Sequence, residues 1–143
     1  MVRVAVEFED NRMQVKEAIR DAAIGFLHEA AGEMVSQTAR NTKVKTGQTK
    51  RSWSYVVDEE ALEAVIGSSF QNAIWEEFGT GEYALNNNGR KGGWVYYAGK
   101  DKDGKDQFYF TLGKKPRRPF FKAFKALKTA IIRKAERRFG EIK

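Results

Sequence analysis

At 143 residues, with 26 Lys and Arg against 19 Asp and Glu, the chain has the length of one domain and a net charge of +7. It holds no cysteine and one histidine, His28, which excludes a disulfide framework, a thiolate metal site, a cysteine nucleophile and a multi-histidine zinc centre. No apolar run reaches bilayer length and the N-terminus lacks the charged-then-apolar layout of a secretion signal, so a reducing, cytosolic setting without a membrane is expected.

Val2, Val4, Val6 and Phe8 alternate with Arg3, Ala5 and Glu7, the period-two pattern of a half-buried strand. Asn11, with Gln14 three residues on, resembles a capping box. The period then changes: Val15, Ile19, Ala22, Phe26, Ala30, Met34 and Ala39 mark the apolar stripe of a helix running to about Arg40, roughly 44 Å long. Ala18, Gly25 and Gly32, seven apart, read either as a mild weakening of that helix or as a seam for close packing against another. Polar residues 41–48 carry Gly47 as a turn residue. Strands follow at Trp53–Asp58 and Leu62–Ile66, joined as a hairpin without the favoured Asn-Gly or Asp-Gly. Ala73–Phe78 reads as one helical turn or an irregular bridge, and 79–93 as a glycine- and asparagine-rich loop. A second hairpin is expected from Trp94–Ala98 and Gln107–Leu112, with a turn-rich tip at 100–106. Pro119 suits the first turn of a last helix that stops near Gly140, with Phe120, Phe124, Leu127, Ile131, Ala135 and Phe139 as its stripe.

This order predicts a single α+β domain over residues 1–143: an antiparallel sheet of about four to five strands, packed by the long N-terminal helix and the C-terminal helix, with loop 79–93 and hairpin tip 100–106 mobile. Charge is uneven along it. From Lys114 to Lys143 there are twelve Lys and Arg against Glu136 and Glu141, a net of +10 on a body of −3. The basic helix reads as a solvated face, as a contact with nucleic-acid phosphates through Lys114, Lys115, Arg117 and Arg118, or as a surface for an acidic neighbour.

Catalytic constellations are not evident. Asp101-x-Asp103-Gly104-x-Asp106 fails the calcium-loop spacing, with Asp106 where glycine belongs and Leu112 where the bidentate glutamate belongs. Residues 87–93 are glycine-rich but lack the Walker pattern. Glu76 and Glu77 are adjacent and so diverge on either a helix or a strand. No cofactor or metal is expected, and a small nuclease would have only Glu77 and His28 to draw on. In structural terms, Glu77 is expected to accept hydrogen bonds from backbone or from Lys50 or Arg51. Gly79 is expected to take a positive φ, with Phe78 buried before it.

Three segments carry a resemblance. Thr46-Gly47-Gln48-Thr49-Lys50-Arg51-Ser52 resembles the Thr-Gly-x-Leu-Arg-x-Ser signature of the neck, or tail-completion, proteins of long-tailed bacteriophages. Asn72-Ala73-Ile74-Trp75-Glu76-Glu77-Phe78-Gly79-Thr80 is similar to that family's Tyr-Ala-x-x-x-Glu-Phe-Gly-Thr, and Arg118-Pro119-Phe120-Phe121 stands where it has Pro-Phe-Leu. Thr49 departs from the usual Leu, Lys50 from Arg, and Asn72 from Tyr. The resemblance implies a non-enzymatic virion protein, assembled in the host cytoplasm. It would form a ring with copies of itself at the head–tail junction, between the head connector and the tail-terminator or tail-tube proteins. It also implies that Thr46, Gly47, Ser52, Glu77, Phe78, Gly79, Thr80, Pro119 and Phe120 are structural residues. The basic element is then for docking or a non-specific DNA contact. The rival expectation is a nucleic-acid-binding module using residues 114–138.

Overall fold

The computed structural model describes residues 5, 10–44 and 47–142. Apart from Ala5, the expected strand over Val2–Phe8 lies outside these, as does Thr46. The chain runs as helix α1 (Arg12–Asn41), a single turn α2 (Gln48–Arg51), strands β1 (Trp53–Asp58) and β2 (Glu63–Ser68), helix α3 (Gln71–Phe78), a 3-10 turn (Gly81–Tyr83), strands β3 (Trp94–Lys100) and β4 (Asp106–Thr111), and helix α4 (Pro119–Gly140). The fold is α+β, with the expected long first helix and a C-terminal helix.

The sheet differs from expectation. β1 pairs only with β2 and β3 only with β4, both antiparallel, giving two sheets of two strands rather than one of four to five. The reason lies between them. The Thr80 N–H donates to the Lys114 carbonyl at 2.9 Å and the Glu82 N–H to that of Leu112 at 2.9 Å, while the Thr80 hydroxyl accepts the Lys114 N–H at 2.8 Å. These bonds hold the root of the second hairpin at the end of α3, away from the edges of the first.

α1 and α4 pack antiparallel. The Asn41 side chain donates to the Pro119 carbonyl at one end, and Glu29 meets Lys134 and Arg138 toward the other. Of the small-residue stripe, Gly25 lies under the end of the Arg138 side chain, where a Cβ would come within 2.7 Å of the guanidinium, while Gly32 faces Tyr55 of β1 at 3.9 Å; the stripe is not a single seam against another helix. The apolar stripe of α1 is only half used. Ala30, Ala31, Met34 and Thr38 are buried, whereas Met13, Val15 and Ile19 are exposed, because α1 is 30 residues long and α4 only 22. On α4, Pro119 and Ala123 are buried; of the expected stripe, Phe120, Leu127, Ile131 and Ala135 are half-buried while Phe124 and Phe139 are exposed. Asn11 occupies the N-cap of α1 without a side-chain cap bond. Asp10 supplies one instead, accepting the Arg12 N–H at 3.1 Å.

The first hairpin lies on α1. Trp53, Tyr55 and Val57 turn inward while Ser54, Val56 and Asp58 turn out, as the alternation predicts. The Trp53 indole donates to the Thr42 hydroxyl at 3.0 Å and stacks on Phe120, centroids 6.3 Å apart. The turn needs no Asn-Gly because Asp58 accepts the N–H groups of Glu60 and Ala61, each at 3.0 Å, and Leu62 takes φ 54°.

Candidate functional site

The three sequence segments that carry the resemblance meet at one place, where α3 abuts the start of α4. Helix α4 begins without help from its own cap residue: Arg118 has a left-handed backbone and makes no side-chain cap bond. The first N–H groups of a helix have no partners within it. Glu77, from α3, supplies them. Its Oε2 accepts the Phe120 N–H at 2.8 Å and its Oε1 the Phe121 N–H at 3.1 Å. A buried carboxylate there also meets the positive end of the helix dipole. The expectation that Glu77 binds backbone holds. The backbone it binds belongs to α4, not to the start of β1.

Glu76 points to other partners, as adjacent helical residues must. It is buried. Its carboxylate is hydrogen-bonded by the Lys114 ammonium and lies 3.9 Å from the Arg117 guanidinium. Its carbonyl oxygen accepts the N–H groups of Arg117 at 2.8 Å and Arg118 at 3.1 Å. Sequence reasoning weighs Glu76 only as a neighbour diverging from Glu77 and does not single it out as a site residue. The available signal is its adjacency to Glu77 combined with four cations shortly before a helix start.

Gly79 ends α3 with φ 74°, as expected, and a Cβ there would lie 2.8 Å from both the Lys114 carbonyl oxygen and Pro116 Cδ. Phe78 is not buried: it is 43% exposed and borders a groove of about 260 Å³ with Trp53, Ile66 and Phe120. Gly47 takes φ 81° at the start of α2, Pro119 is fully buried at the first turn of α4, and Ser52 links α2 to β2. The Ser52 hydroxyl donates to the Thr49 carbonyl at 2.6 Å and accepts the Ser68 hydroxyl at 2.6 Å.

Two residues that depart from the phage pattern are bonded to each other. The Asn72 amide donates to the Thr49 hydroxyl at 2.8 Å, tying the first segment to the second. In the phage pattern the same two positions are Tyr and Leu; here the pair is polar.

The four cations singled out near the α4 entry are engaged within the chain. Lys114 and Arg117 attend Glu76, Arg118 lies 3.8 Å from the centroid of Phe121, and Lys115 lies 5.6 Å from that of Tyr83. Further along α4, Lys122, Lys125, Lys128, Arg133 and Arg137 form no ion pair among the described residues. Lys134 and Arg138 face α1, where they hold the Glu29 carboxyl down to about 2, Lys134 contributing most. His28 is exposed, its ring 3.3 Å from the Tyr55 hydroxyl and far in sequence from Glu77. No group of three or more His, Cys, Asp or Glu among the described residues is placed to hold a metal ion, and no described helix is long and apolar enough to cross a membrane.

Comparison with protein-family models, with curated proteins and with solved structures gave no match.

Proposed function

We propose that the chain is a structural protein of the phage head–tail junction, a neck or tail-completion subunit that assembles with copies of itself and joins the head connector to the tail. The observation that carries this reading is the convergence of the three resembling segments. They are separated by about twenty and about forty residues, yet they bond to one another through Asn72–Thr49 and through Glu77 with the Phe120 and Phe121 N–H groups. Of these ties, the Asn72–Thr49 bond joins two positions that differ from the family's pattern, so the Glu77 tie is the one that supports the reading. The residues at the meeting point build a joint. Both carboxylates help tie α3 to the α4 entry: Glu77 accepts the first N–H groups of α4, and buried Glu76 accepts the Lys114 ammonium on one oxygen. The reading is tested by adding the purified protein to heads and tails from phage lacking its gene and scoring joined particles.

A second reading, a nucleic-acid-binding module, is favoured by the outward cations of α4. They follow the helix from Lys122 to Arg137 and would meet phosphates without sequence readout.

A further inference from the structure

Two exposed faces of the chain carry opposite charge at matching spacing. The first is the side of the first hairpin turned away from α1. There Val56 pairs with Val65, both about 70% exposed. The next pair on that face is Asp58 with Glu63, both exposed. Like charges directly opposite each other in a ladder repel. Neither carboxylate forms an ion pair among the described residues, and neither do Glu59 and Glu60 in the turn beyond. That repulsion is relieved by a cation from outside the hairpin.

The second face is the outer side of α4. Phe121, Phe124, Lys125, Lys128 and Ile132 stand at i, i+3, i+4, i+7 and i+11, so they share one side of the helix. All five are exposed, on the side opposite buried Pro119 and Ala123. The two lysines stand among the apolar side chains and form no ion pair among the described residues.

The spacings correspond. From the valine pair to the carboxylate pair is two strand residues, about 7 Å. From Phe124 to Lys128 is four helical residues, about 6 Å. Helix α1 packs on the inner side of both elements, and no ion pair joins residues 58–63 to α4 within the chain. Each face thus lacks in its own chain the partner that the other face offers.

We propose that the outer face of α4 docks on the outer face of the first hairpin of a second copy, with Phe124 on Val56 and Val65 and with Lys128 on Asp58 and Glu63. The two surfaces differ, so the contact is heterologous, and repeated by rotation it closes a ring. The contact stands on the two faces, their charge and their spacing; it rests on the junction reading only for the closure into a ring.

Charge exchange tests it. Lys128→Glu alone and Glu63→Lys alone are each expected to raise the self-association Kd in sedimentation by about tenfold or more. Their thermal midpoints should match the wild type, because both side chains are exposed. The chain carrying both substitutions restores opposed charges and is expected to associate as the wild type does. A wild type that stays monomeric at every concentration, single variants that associate unchanged, or a double variant no better than either single one would overturn the proposal. Single variants that lose only DNA binding would also overturn it and assign the lysines to phosphates. Joining of heads to tails with association indifferent to both substitutions refutes this contact and leaves the junction reading standing. Rescue in the double variant of a protein that joins nothing does the reverse.

Discussion

Glu77 holds the start of α4 from more than forty residues upstream, and its replacement has a definite cost. Glu77→Ala leaves the Phe120 and Phe121 N–H groups without acceptors in a part-buried setting. The loss should be about 2–3 kcal/mol, more than an exposed helix cap is worth. Glu77→Gln keeps the shape and one acceptor and should lose about half as much. Urea unfolding of the three proteins checks this order; equal midpoints would mean that α4 does not depend on the cap. Part of this is legible in the sequence. A glutamate followed two residues later by a glycine at a helix end announces a tie and a left-handed exit, and both are found. The partner is not legible, because only the tertiary arrangement brings residue 77 to residue 120. Phe78 departs from its expected burial for the same reason: an apolar residue beside a buried one has no period of its own to say which way it turns.

Element packing is where pH enters. Glu29 sits between Lys134 and Arg138, and these cations lower its carboxyl from an ordinary 4.5 to about 2. Its folded pKa therefore lies below its unfolded value. The stability it contributes is complete above about 4.5 and is lost as pH falls toward 2. Thermal melts across that interval should show the wild type falling more steeply than Glu29→Gln, with the two curves drawing together at the acid end. Parallel curves would show that the α1–α4 ion pairs do not support the helix packing. Both helices are legible from their 3.6-residue period, and the hairpins from their period of two. Which part of each stripe is buried is not legible, since that depends on where a shorter helix stops beside a longer one. The union of the hairpins into one sheet is the expectation their number suggests. It fails because the bonds from Thr80 and Glu82 hold the second hairpin by its root.

For the whole molecule, the excess charge of the last thirty residues divides into two populations. Lys114 and Arg117 serve Glu76, and Lys134 and Arg138 serve α1; the others on α4 look outward. DNA binding, where it occurs, should be weak and fall steeply with salt. Replacing Lys122, Lys125 and Lys128 with Ala should reduce the slope of log K against log salt by about 0.9 for each phosphate no longer neutralised. A slope unchanged by that triple variant would remove α4 from the DNA interface. The proposed role is that this chain joins heads to tails by assembly. A phage deleted for its gene should accumulate filled heads and separate tails, and the purified protein added to that lysate should produce joined, infectious particles. Joined virions of normal length from the deletion, without the protein, would contradict the account.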